Sequence, residues 1–355
     1  MASTATAKLL RSIALIFIVI GFLISAADAK SEEDAARCAK SQTGRCHDRS
    51  KALHLNCIAI GCILVASIVG VSSPLLTRSI PALSTDGDLF ILVKAFASGV
   101  IVATGFMHVM PDSWNDLTSP CLPEMPWRVF PFTPFITMVA TYLTMMMDTF
   151  ATSWYEKRMV LARGGKDSGS GQLGHGHGHG HGHVVGMVFA DKESDLMKNR
   201  VVAQVLELGI VVHSVVIGLS MGATDNYCTV QPLVIAICFH QLFEGMGLGG
   251  CISQAEYEFK MKAIMVFFFS VTTPGGIVLG ILLQHVYDEN SPMALIVVGV
   301  LNAISAGLLI YMALVDLLAA EFKGPRLQRN MKLQFVSYIV ALMGTGLMSL
   351  MAKWA

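Results

Sequence analysis

The stretches VVAQVLELGIVVHSVVIGLSMG (residues 201–222) and VQPLVIAICFHQLFEGMGLGG (residues 230–250) decide the fold. Each is an apolar run long enough to cross a bilayer as a helix. Each is also interrupted by side chains that a bilayer penalises. His240 and Glu244 lie four residues apart, so imidazole and carboxylate project from one helical face and can bind one ion together. Glu207, His213 and Ser214 interrupt the preceding run, and Glu207 and Ser214 share a face, with His213 one step round. Ionisable groups at membrane depth are costly unless they pair or face a cavity, which makes them functional-site candidates. Neutral histidine and carboxylate are ordinary ligands for zinc and ferrous iron. The competing reading of His240 and Glu244 alone is a hydrogen-bonded pair that locks two helices.

Working outward, the chain is 54% hydrophobic and 14% charged, well below the roughly one-quarter charged content of ordinary soluble domains. This composition implies an all-α polytopic membrane protein. The net charge is zero and no basic stripe occurs, which excludes nucleic-acid binding as the function. The partners expected are the lipid bilayer and divalent metal ions. Residues 1–29 read as a secretory signal peptide: Lys8 and Arg11, an apolar run over residues 13–24, and a small-residue site ending at Ala29. Residues 30–52 form an extracytosolic tail.

Eight further apolar runs are expected to span: Leu53–Leu76, Leu89–Met110, Phe132–Tyr155, Val201–Gly222, Val230–Gly250, Met261–Val286, Met293–Ala320 and Leu333–Ala352. The chain is thereby divided into transmembrane helices 1–3 (residues 53–155), a loop (residues 156–200) and transmembrane helices 4–8 (residues 201–355). With both termini outside, the inner loops hold Arg78, seven Lys and Arg between Lys157 and Arg200, Lys260 with Lys262, and four between Lys323 and Lys332. The outer loops between spans hold only Arg128, so the positive-inside rule favours this orientation.

Other polar clusters mark a path. His108 and Asp112, four apart at the outer end of the second span, suit an entrance site or an interfacial polar cap. Asp148 and Asp316 sit near the inner ends of their spans, and Asn302 shares a face with Asp316. Lys94 is expected to snorkel to the inner interface. Thr272-Thr273-Pro274-Gly275-Gly276 predicts a kink or broken turn in the sixth span. The pairs Gly218/Gly222 and Gly245/Gly249 have the spacing that lets helix backbones approach closely. In the inner loop, His175, His177, His179, His181 and His183 alternate with glycine and can gather a soft divalent ion. Cys38, Cys46, Cys121 and Cys228 are candidates for disulfide bonding; Cys57, Cys62, Cys238 and Cys251 are expected as small buried hydrophobes.

Taken together, Leu206-Glu207-Leu208-Gly209 through Gly218, then His240-Gln241-Leu242-Phe243-Glu244-Gly245, with Phe106-Met107-His108, Pro111-Asp112, Met147-Asp148 and Ala151-Thr152-Ser153, resemble the ZIP family of zinc- and iron-regulated transporter-like proteins, in its plant branch. The resemblance covers essentially the whole chain. It implies a ZIP-type bundle that carries zinc, with iron, manganese or cadmium as alternatives, toward the cytosol, and needs no cofactor. It also implies that spans one, four, five and six move against the rest. The family's metal site maps to His213, His240 and Glu244 with Ser214 alongside, and His108, Asp112, Asp148, Glu207 and Gln241 are accessory positions along the path. Some bacterial relatives hold two metals with extra carboxylates; here Ile217 and Gln241 occupy those positions, which implies a single metal. Asn115 stands where iron-transporting relatives place glutamate, which favours zinc over iron. A plasma membrane is expected, a vacuolar membrane would look the same from sequence, and the resemblance leaves room for a homodimer. An intramembrane hydrolase is disfavoured because Gln241 stands where H-E-x-x-H would place its base; a metal sensor built on the His-rich loop is the remaining rival.

Overall fold

The computed structural model describes residues 48–77, 87–164, 182–224, 226–284 and 291–352, and these are helical with short connections. Eight long helices keep the order of the apolar runs. They are α1 (Arg49–Thr77), α2 (Asp88–Leu117), α3 (Phe132–Gly164), α4 (Gly182–Ala223), α5 (Tyr227–Gln254), α6 (Phe259–Leu283), α7 (Pro292–Phe322) and α8 (Met331–Met351). Seven of them, all but α3, are long and apolar enough to cross a membrane. The helix α3 carries six threonines and Asp148 in its expected span, which dilute its apolar character. Helices α3 and α4 both run past the ends of their apolar runs, to Gly164 and from Gly182. The signal segment, most of the tail, and His175 to His181 of the loop lie outside the described residues. His183 falls in the first turn of α4.

Glycine sorts the helices into two bodies. Within the first body, α1 packs on α5 and α4 on α6, and the contacts are backbone to backbone. A Cβ added to Gly70 would run into the Leu242 carbonyl oxygen, and one on Gly249 into the Val71 carbonyl oxygen. On Gly222 it would strike the Ile277 carbonyl oxygen, and on Gly280 that of Leu219. The second body repeats the device. A Cβ on Gly99 of α2 would strike the Ala341 carbonyl of α8, and one on Gly307 of α7 would lie 2.6 Å from the Thr137 carbonyl of α3. In a bilayer, close approach of this kind is what holds helices together, since lipid tails are as apolar as leucine.

The boundary between the bodies is different in kind. There a Cβ on Gly247 of α5 would meet the tip of Ile101 from α2 at 2.8 Å, and one on Gly209 of α4 the Leu308 side chain of α7 at 3.2 Å. Side chains, not backbones, form this surface. A buried cluster including Ile101, Leu206, Ile210, Leu248, Phe269, Leu309 and Met312 fills it.

Four local expectations are corrected or refined. Pro274 does not break its span; α6 is one continuous helix from Phe259 to Leu283, as neighbouring helices in a bundle tolerate. Lys94 does not snorkel: its side chain is 9% exposed and engaged within the bundle. Cys57 and Cys62 are exposed rather than buried, on a helix face that an apolar solvent would cover, while Cys251 is buried and Cys238 intermediate. Cys121 and Cys228 are both disulfide-bonded.

Candidate metal site

The second helix widens where it reaches the centre of the molecule. Gly105–Val109 makes one π-helical turn, with the Met110 amide donating back to the Gly105 carbonyl. Gly105 fits there because a Cβ would strike the Ile310 side chain at 2.8 Å. A wide turn inserts one residue into the helical repeat and re-aims the side chains beyond it. The side chain it carries inward is His108, which is 3% exposed.

His108 faces two other histidines. Its ring centroid is 5.6 Å from that of His213, edge-on at 90°, and 5.7 Å from that of His240. His213 and His240 are themselves 6.1 Å apart. Three imidazoles from α2, α4 and α5 therefore meet at one point between the two bodies. With metal–nitrogen bonds of about 2.0–2.1 Å, rings sharing one ion stand at about this separation. Among the described residues, the His, Cys, Asp and Glu groups do not stand as a closed set of three ligands in this arrangement.

The surrounding polar atoms are buried and lack hydrogen-bond partners. They include both ring nitrogens of His213, Nδ1 of His240, Nε2 of His108, the Ser214 hydroxyl and both carboxylate oxygens of Glu244. Glu244 is 0% exposed, and Thr104 of α2, whose hydroxyl donates to the Val100 carbonyl, stands beside its carboxylate. A buried polar atom without a partner costs about 1–3 kcal/mol, so such a concentration is a strong demand for a ligand. The atoms are nitrogens and oxygens suited to a divalent cation.

On the far side, the Thr273 hydroxyl of α6 donates to Gln241 Oε1 at 3.4 Å, while Gln241 Nε2 and the Ser270 hydroxyl have no partner. These neutral groups supply polarity without charge. Thr104, Ser270 and the inward aim of His108 were not read from the sequence. No periodicity announces a π-turn, although the glycine three residues before His108 is the one local signal for it.

Of the remaining accessory positions, Asp112 borders the imidazoles and the others lie farther off. Asp112 places Oδ2 at 3.6 Å from His108 Nδ1, beyond hydrogen-bond length, and its side chain is 41% exposed. Glu207 is half-buried on α4, about 9 Å along the helix from His213. Asp148 accepts from the Tyr311 hydroxyl at 3.4 Å, and both carboxylate oxygens of Asp316 on α7 are buried without hydrogen bonds.

Comparison with known proteins agrees with this architecture. The family model described as ZIP Zinc transporter matches residues 53–352. The chain is 57% identical to the rice protein named Fe(2+) transport protein 1, over 88% of this chain and 87% of that protein. It is 54% identical to the Arabidopsis thaliana protein named Zinc transporter 7, over 95% of this chain and 96% of that protein. It is 52% identical to the Arabidopsis thaliana Fe(2+) transport protein 1, over 99% of each. With seven helices long and apolar enough to span and a family match over residues 53–352, this chain is a multi-pass membrane protein that belongs to the ZIP zinc transporter family.

Proposed function

We propose that this chain carries divalent zinc across a membrane toward the cytosol, one ion at a time, through a site formed by His108, His213, His240 and Glu244 with Ser214 beside them. The observation that carries this reading is the meeting of three buried imidazoles between the two bodies, with the buried Glu244 one helical turn along α5 from His240. A bound cation would satisfy those groups, and a site at the boundary can open to either side if the bodies shift. Gln241 and Thr273, neutral and hydrogen-bonded to each other, fit a single ion better than a pair. Asp112 would draw a hydrated cation to His108 from outside, and Asp148 with Glu207 would ease its departure. His175 to His183 would gather zinc on the cytosolic side, beneath eight spans with the basic loops inside. A plasma-membrane location and a homodimer belong to the same proposal.

Transport of ferrous iron is the second reading, favoured by the iron-transporter names of two relatives at 57% and 52% identity. Zinc, iron, manganese and cadmium uptake measured side by side in a transport-deficient cell separates these readings. Zinc influx that is undiminished by His240→Ala would refute the site.

A further inference from the structure

Lys94 is the cation that the bundle buries without need of a metal. Its ammonium lies 2.8 Å from Glu321 Oε2 at the inner end of α7 and 3.1 Å from Gln254 Oε1 at the end of α5. Glu321 is 21% exposed and, like Lys94, belongs to the second body; Gln254 belongs to the first. We propose that Lys94, Glu321 and Gln254 form an inner latch, a charge-assisted clasp across the two bodies that must open each time they shift. The inference rests on the transport reading only for the purpose of the motion.

Three observations support a latch over a passive contact. Gln254 is held by its own body: its backbone carbonyl accepts from the Asn199 side chain, the next carbonyl accepts from Arg200, and Tyr257 donates to the Arg200 carbonyl. The amide is thus presented by a rigid corner of α4 and α5. Next, the clasp crosses the boundary where glycines meet side chains rather than backbones, the surface along which slip costs least. Finally, burial makes Lys94 dependent on both acceptors, since a desolvated ammonium cannot abandon them without a replacement. Higher up the same boundary the Ser305 hydroxyl donates to the Gly209 carbonyl at 2.9 Å, a weaker neutral link.

Cys251 reports the state of the clasp. It is one turn before Gln254, 3% exposed and a free thiol, within electrostatic reach of Lys94 and Asp316. The test uses the full chain in membrane vesicles, with maleimide modification read by mass spectrometry on the peptide that contains Cys251. Gln254→Leu removes the arm between the bodies and leaves the Lys94–Glu321 pair. It should raise the modification rate about tenfold, the weight of one hydrogen bond to a charged group. Gln254→Glu turns the arm into an ion pair and should lower the rate; Lys94→Gln should move it with Gln254→Leu. Unchanged rates, or shifts of Gln254→Leu and Gln254→Glu in the same direction at equal protein levels, overturn the latch. Opposite shifts in a protein that moves no zinc keep the latch and refute the transport reading instead.

Discussion

The ring of His108 stands edge-on to that of His213, with centroids 5.6 Å apart and planes at 90°, although the two residues belong to different bodies of the bundle. If these rings hold the ion as proposed, ion binding is coupled to the relative position of the bodies. An ion held by His213, His240 and Glu244 alone would travel with the first body. Adding His108 ties that ion to the second.

His108→Ala should therefore impair zinc uptake as severely as His213→Ala or His240→Ala. Losing even an outer partner of a metal site commonly costs about 10–100-fold in affinity, and a direct ligand should cost no less. Zinc uptake normalised to protein at the cell surface is the measurement. A His108→Ala protein with a wild-type zinc KM would confine this histidine to packing.

Asp112 should act on capture rather than on the ion once bound. It is part-exposed and too far from His108 for a hydrogen bond. Asp112→Asn should raise KM for zinc, with the maximal rate nearly unchanged, and the difference should shrink as salt screens the outer charge. A fall in maximal rate at constant KM would place Asp112 elsewhere in the cycle.

Glycine replacements should separate the locked interfaces from the open faces. Gly70→Val would drive a side chain into the Leu242 backbone, whereas nothing lies within 4 Å of a Cβ on Gly275. Overpacking of this kind costs about 1–3 kcal/mol or more. Melting in detergent should fall clearly for Gly70→Val and scarcely for Gly275→Val; equal losses would mean that the α1–α5 contact does not lock the body.

The disulfide-bonded Cys121, in the connection after α2, and Cys228, in the first turn of α5, both face outside if the basic loops face the cytosol. An impermeant reductant applied to intact cells should then free both thiols. Release that requires permeabilised cells would reverse the orientation.

Much of this was legible in sequence because the bilayer imposes strong rules. Spans need long apolar runs, so the helices track the runs closely, and His240 and Glu244 stand out because lipid should exclude them. Helical spacing fixed their shared face. Small residues at Gly218/Gly222 and Gly245/Gly249 signalled close packing, and both pairs meet neighbouring backbones. Pro274 suggested a kink or broken turn, and the helix runs through it unbroken, since the neighbouring helices of the bundle support it.

Sequence alone therefore determined the class of protein, the order of its helices, and the polar side chains that α4 and α5 carry inside their apolar runs, all set by interactions within one helix or between one helix and lipid. Only the tertiary structure decided which helices lock together, that a π-turn aims His108 at the other two imidazoles, and that Lys94 finds Glu321 and Gln254 instead of the interface. Those outcomes depend on contacts between residues far apart in the chain, and no local periodicity encodes them.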